Sequence, residues 1–160
     1  MSISYIPAHA SEMLAKSQFG FEGFEILETP ESSVQDFVVK NQNNYYGVQV
    51  KSSKFNDDKK YVFECRKRNF SKRKDGSNIL GDWKPYLKKD IEFFVLVARD
   101  IKKCILIVNK EERLYLNYRK EEFIKFADIS WKVLDRYIDN NFIDTNKTNH
   151  NVVDLFNMEK

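Results

Sequence analysis

The eight residues Ile91-Glu92-Phe93-Phe94-Val95-Leu96-Val97-Ala98 are apolar but for Glu92. A half-wet strand alternates apolar and polar side chains, whereas a run like this one needs cover on both faces and belongs in the middle of a sheet. Lys103-Cys104-Ile105-Leu106-Ile107-Val108 predicts a second strand of the same kind. Upstream, the spacing predicts a helix over Ala8 to Phe19, with Met13, Leu14 and Phe19 toward a core and Ser11 as a cap; Gly20 and Gly23 then break it. A short strand over Phe24 to Leu27 ends at Pro30, a hairpin spans Val34 to Ser52, and Lys60 to Arg66 alternates like a further strand. Ser71 to Asn78, with its Asp75-Gly76 turn, reads as an exposed loop, Asp82 to Lys89 as a brief helix, and Arg113 to Tyr118 as an edge strand.

From Glu121 onward Phe123, Phe126, Ala127, Leu134, Tyr137 and Ile138 recur at helical spacing, with a break near Asp128. Asp139 to Asn149 is polar and loop-like, and Val152, Val153, Leu155 and Phe156 make a small apolar tail suited to docking on this subunit or a neighbour. The expected fold class is α/β: one domain with a mixed sheet flanked by helices and a C-terminal helical appendage. At 160 residues, 42% of them hydrophobic, the chain has enough material for one ordinary core. The Ile91 run is far too short to cross a bilayer and the N-terminus lacks the basic-then-apolar order of a secretory signal, so a cytoplasmic location is expected. Cys65 and Cys104 stand far apart without ligand-spaced partners, which argues against a zinc site or a disulfide framework and for buried, inert thiols.

The hairpin carries the chemistry. If Asn41-Gln42-Asn43-Asn44 form its loop, Lys40 faces Tyr45, and counting back along both strands sets Asp36 opposite Gln49 with Lys51 one step further on the same face. Phe37, Val39, Val48 and Val50 then point the other way and back the polar trio with apolar packing. Ten basic residues lie between Lys51 and Lys74 against Asp57, Asp58 and Glu64. Lys84, Lys88 and Lys89 follow, and Tyr61, Phe63, Phe70 and Trp83 are interleaved with them. Charge that begins at the lysine of the trio is placed to attract phosphate. The expected DNA contacts are Lys54, Lys59, Lys60, Arg66, Lys67, Arg68, Lys72, Arg73, Lys74 and Lys84, some to phosphates and some to base edges.

Hydrolysis of a phosphodiester needs a cation that lowers the pKa of water and offsets charge on the phosphate, and carboxylate and carbonyl oxygens suit Mg²⁺. Asp36 supplies an anionic oxygen, the Gln49 side chain a neutral carbonyl, and Val50 its backbone carbonyl. Lys51 is suited to orient the attacking water and to offset transition-state charge. His9 and His150 are isolated and read as surface residues. Ser52 and Ser53 follow Lys51 and are able to donate to a phosphate, though strand-end polarity explains them equally. Trp83, Trp131 and the C-terminal aromatics read as core or subunit contacts.

Asp36 followed by Gln49-Val50-Lys51 resembles the pattern of the PD-(D/E)XK nucleases, the restriction-endonuclease-like superfamily, in which an aspartate at a strand start precedes an acidic-X-Lys tripeptide on the next strand. The resemblance runs from about Ala8 through the strands at Ile91 and Cys104. It implies that Glu12, on the first helix, is the family's upstream acidic residue and a further metal ligand. Two departures stand out: Gln35 occupies the position of the family's proline, and Gln49 replaces an acid, which removes one negative charge and makes the number of ions, one or two, depend on Glu12. The hairpin spacing and the basic ribbon look most like the bacterial intron-encoded homing endonucleases of this fold.

The resemblance implies residues 1–120 as the nuclease core, with the DNA-contacting ribbon at about 54–78, and 121–160 as a C-terminal helical region and candidate oligomer interface. It further implies sequence-specific, Mg²⁺-dependent cleavage of double-stranded DNA to 5′-phosphate and 3′-hydroxyl ends. Two scissile phosphates on opposite strands and one site per chain favour a homodimer, and the closer resemblance a tetramer. A structure-specific nuclease such as a Holliday-junction resolvase, and a catalytically silent nucleic-acid-binding module, remain as alternatives.

Overall fold

The computed structural model describes residues 5–56, 58–132 and 134–135. The apolar run lies where its composition demands. Strand β6 (Phe93–Ala98) is buried at every position, between β3 (Asn44–Ser53) on one side and β7 (Lys103–Val108) on the other. The sheet has the order β1-β2-β3-β6-β7, where β1 is Glu25–Glu28 and β2 is Phe37–Asn41. All neighbours run antiparallel except β3 and β6, which are parallel, so the sheet is mixed.

Each face of this sheet has its own core. On one face Phe93, Val95 and Val97 pack with Phe37, Val39 and Val48, and helix α1 (Tyr5–Phe21) covers them with Ala15 and Phe19. Phe19 sits at the centre, its ring 5.0 Å from Trp131 and 6.0 Å from Phe37. On the other face Phe94, Leu96 and Ala98 meet Tyr61, Phe63 and Cys65 of a second sheet and Phe123 and Phe126 of helix α2 (Lys120–Ser130). That second sheet has the order β5-β4-β8, with β4 at Lys60–Lys72, β5 at Asn78–Pro85 and β8 at Leu114–Arg119. The architecture is thus α/β, with a mixed sheet between α1 and a layer made of the second sheet and α2.

The parallel pairing of β3 with β6 needs a long connection. Here a β-hairpin, β4-β5, occupies it, and this corrects two expectations. The predicted helix over Asp82 to Lys89 is absent; Asn78 to Pro85 pairs with β4 in a ladder through Arg68↔Trp83 and Arg66↔Pro85. Pairing along a 13-residue neighbour outweighs the weak local helical preference. The predicted loop over Ser71 to Asn78 shrinks to the tip between Lys72 and Asn78, closed by Gly76 at φ 86° and by Asp75, whose carboxylate accepts from the Ser77 N–H at 2.9 Å.

Three smaller differences concern the ends. Helix α1 begins at Tyr5, so Ser11 is inside it, back-bonded to the Pro7 carbonyl at 2.8 Å, and is no cap. Met13 is 57% exposed, because Ser11, Ala15 and Phe19 form the buried stripe of the helix. The expected edge strand near Arg113 exists as β8 but borders the second sheet. Trp131 is core, with its indole N–H donating to the Cys104 carbonyl at 3.1 Å, and Ser130 Oγ accepts from the Leu106 N–H at 3.0 Å. Both cysteines are free and buried, and burial pushes each thiol up to about 12, so neither is a nucleophile at neutral pH. The readings placed at Tyr137, Ile138, 139–149 and 152–156 lie outside the described residues.

Gly47 on β3 marks a close approach of the segment that leads into β6. A Cβ there would collide with the Asp90 carbonyl oxygen and the Gln35 amide, and Gln35 Nε2 itself donates to that carbonyl at 2.8 Å. Gln35 therefore ties the start of the hairpin to the segment that leads into β6. Gly47→Ala is expected to destabilise the fold by about 1–3 kcal/mol, as overpacking does. Urea unfolding checks this; an unchanged midpoint would contradict the packing described.

Candidate active site

The hairpin register matches the count along the sequence. Lys40 pairs with Tyr45 and Phe37 with Val48, which sets Asp36, one residue before β2, opposite Gln49, and the Asp36 N–H donates to the Val48 carbonyl at 2.9 Å. The turn is tighter than the four polar residues suggest. Asn41 and Asn44 still pair, and only Gln42, at φ 54°, and Asn43 form the turn. Because one residue is drawn in from each side, the register is unchanged.

The two faces separate as expected. Phe37, Val39 and Val48 are fully buried beneath α1 and Val50 packs partly against them. Gln49 and Lys51 pair with Phe94 and Leu96, whose side chains belong to the other core, so the polar groups look into the gap between the two sheets. There the Asp36 Oδ2 accepts from Gln49 Nε2 at 3.0 Å and from the Val50 N–H at 2.6 Å. Lys51 Nζ donates to the Tyr86 hydroxyl at 3.2 Å and lies 5.3 Å from its ring centre.

The backbone adds an oxygen. On a strand the N–H and C=O of one residue point to the same side, so the Val50 carbonyl, like its N–H, is directed toward Asp36. No β2 residue remains opposite it, because that strand begins at Phe37.

Electrostatics bind Glu12 to this group. Its carboxyl, half-buried on α1, titrates above the ordinary value, first through burial and then through the neighbouring charge of Asp36, while Lys16 and His9 pull it down. Asp36 is likewise raised by burial, against the Val50 hydrogen bond, Lys51, Gln49 and Lys16. Lys16, unnoticed in the sequence reading, is held by Glu28 at 2.9 Å and lies one helical turn from Glu12, a spacing that was available as a signal.

A raised acid carries a definite sign in folding. The stabilising difference is present below the ordinary carboxylate range and is lost as pH rises through the raised folded value. Ionised Asp36 therefore costs stability at neutral pH. Asp36→Asn, whose amide oxygen still accepts from Gln49 and Val50, is expected to raise the Tm of the metal-free protein at neutral pH, with the gain shrinking in acid. Thermal unfolding in chelator at several pH values checks this; a Tm lowered at neutral pH would contradict it.

The donors have the chemistry of a hard-cation site: a carboxylate with Oδ1 unengaged among the described residues, an amide oxygen, a backbone carbonyl and a second carboxylate on α1. Among the described residues no three His, Cys, Asp or Glu side chains gather at metal-binding distance, and position 49 contributes a neutral amide. The Gln49 amide nitrogen faces Asp36; turning the amide over would present its oxygen instead, the orientation that a shared cation requires.

The basic residues divide by face. Lys54, Lys59, Lys60, Lys72, Arg73, Lys74 and Lys84 are exposed, with Arg73 and Lys74 at the hairpin tip. Arg66 and Arg68 lie on the outer face, with the Arg66 guanidinium 4.1 Å from the Trp83 ring and 5.1 Å from that of Tyr115. Arg68 stacks on Trp83 at 4.9 Å and donates to the Gly81 carbonyl at 2.7 Å. Trp83 is consequently partly exposed beneath two guanidinium groups and not a core residue, the first of the two places expected for it. Lys67 points the other way, toward Tyr86. The structure thus brings Asp36, Gln49, Val50 and Lys51 together, sets Glu12 and Lys16 near enough for their charges to act on Asp36, adds Tyr86 and Lys67 beside Lys51, and spreads the remaining cations along the ribbon.

The fold is similar to that of a solved bacterial homing endonuclease, I-Ssp6803I, with a TM-score of 0.66 and 14% sequence identity over 88% of this chain and 99% of that one. No family model matches the chain, and no curated protein does. No helix among the described residues is long and apolar enough to cross a membrane.

Proposed function

We propose that this protein is a metal-dependent DNA endonuclease of the PD-(D/E)XK type, and that its role is that of a sequence-specific homing endonuclease. The observation that carries the reading is the joint position of Asp36, Gln49, Val50 and Lys51 along the start of one hairpin, with Lys51 held by Tyr86 just after the cationic β4-β5 hairpin. The likeness of the fold to a homing endonuclease supports it.

Asp36, the Gln49 amide oxygen, the Val50 carbonyl and Glu12 are the groups that would hold Mg²⁺. When bound, the ion supplies Lewis-acid stabilisation of phosphate charge and a more acidic water. Lys51 is fixed by Tyr86 and presents its remaining protons to a phosphate oxygen or the attacking water, where an ammonium stabilises charge that develops in the transition state. The ribbon at about 54–78 holds the duplex, and the products carry 5′-phosphate and 3′-hydroxyl ends.

Residues 1–120 are proposed as the catalytic part and 121–160 as the source of contacts between copies, although α2 itself already buries Phe123 and Phe126 in this subunit. A homodimer or tetramer would set two sites against opposite strands. Sedimentation showing only monomer at micromolar concentration would count against that assembly.

Incubating a plasmid library with the protein, with and without Mg²⁺, and sequencing the ends tests the reading. Cutting at a long recurrent site only with the ion supports it. Uncut plasmid, or cutting indifferent to chelator, would overturn it.

A further inference from the structure

We infer that Lys67 is a second fixed cation on the substrate phosphate, set beside Lys51 by the ring of Tyr86; this rests on the nuclease reading above. Lys51 Nζ lies 5.3 Å from the centre of that ring and Lys67 Nζ 5.8 Å from the same centre. Two ammonium groups on one aromatic ring are mutually repulsive, and the ring's negative face offsets part of that cost.

The ring itself is immobilised. Tyr86 is 8% exposed, packs edge-on against Phe94 at 5.5 Å, and its carbonyl accepts from Asn109 Nδ2 at 2.9 Å. The same buried amide donates to the Ile91 carbonyl at 2.8 Å, which clamps both ends of the segment between β5 and β6. Tyr86 is accordingly a positioning residue, and Lys67 reaches it because β4 turns that side chain inward between Arg66 and Arg68, which face out.

Charge bookkeeping identifies the ligand. Lys67 pairs across the hairpin with Lys84. Among the described residues none of Lys51, Lys67 and Lys84 has a carboxylate at ion-pairing distance, whereas Lys16, Lys40, Lys88, Lys103 and Lys120 each do. Three lysines outside any ion pair, two of them held in place by one ring, form a seat for an anion. Next to Asp36 and Gln49 that anion is a phosphodiester. Lys67 then adds positive charge to the phosphate beside Lys51 without entering the donor set of Asp36 and Gln49.

The test is single-turnover cleavage of the recovered DNA site at saturating protein, with duplex affinity measured alongside. Lys67→Met is expected to slow cleavage about 10²-fold, the cost of one removed charge-stabilising donor, with affinity changed no more than about threefold. Lys67→Arg should restore most of the rate, since the ring and the charge are both kept. Tyr86→Leu, which frees both lysines, should slow cleavage at least as much as Lys67→Met, and Tyr86→Phe, which keeps the ring and loses only the hydroxyl, should fall between it and wild type and guards against a simple folding defect. Lys67→Met cutting at the wild-type rate, or losing affinity as steeply as rate, overturns the inference alone when Asp36→Asn is inactive. If Asp36→Asn also cuts normally, the nuclease reading itself has failed.

Discussion

Asp36→Ala is expected to abolish Mg²⁺-dependent cleavage and Lys51→Ala to reduce it by about 10²–10³-fold, with duplex binding in both variants close to wild type. The reasons differ. Asp36 is an anionic member of the donor set and also the acceptor that fixes Gln49 and the Val50 amide, so its loss removes a ligand and releases the arrangement of two others. Lys51 contributes charge where it develops, and its loss leaves the donor set intact. Neither belongs to the exposed cations of the ribbon, which is why affinity should survive. Quantitative cleavage and fluorescence anisotropy on the same preparations check the pair of readouts. Full cutting by both variants would remove the basis for the proposed site.

The second large effect is on binding. Seven cations between Lys54 and Lys84 are exposed: Lys54, Lys59 and Lys60 at the approach to β4, and Lys72, Arg73, Lys74 and Lys84 on the β4-β5 hairpin. If six or more meet phosphates, affinity should fall about 10³–10⁵-fold between roughly 50 and 200 mM monovalent salt. Replacing Lys72 by Ala should lower the logarithmic salt slope by about 1, equally for all sequences. Arg66 should behave differently, because its guanidinium is already engaged by Trp83, Tyr115 and the Glu64 carboxylate at 3.6 Å. Affinity measured across a salt series checks this, and a flat dependence would point away from nucleic acid.

What was legible in the chain follows from the range of the forces. The β2-β3 register was readable because period-two alternation fixes it from both ends, and it survived an error in the turn for that reason. β6 was readable because two-sided burial leaves no polar position. The ribbon was only half readable: β5 exists through pairing with β4, which no local window contains, so Asp82 to Lys89 looked like a helix. Lys67 was legible only as one cation of the ribbon and Tyr86 carried no local signal; the layers bring both to Lys51. Glu12 entered through a family resemblance, and its electrostatic coupling to Asp36 is what the coordinates add.

The central claim is that one divalent ion sits between Asp36 and the Val50 carbonyl. Iron(II) exchanged into a magnesium site, with ascorbate and peroxide, cuts the polypeptide beside the ion, and mass spectrometry maps the breaks. The account predicts breaks around Asp36 and Val50 that excess Mg²⁺ suppresses and Asp36→Asn eliminates. Breaks elsewhere in the chain, or none at these two segments, would contradict it.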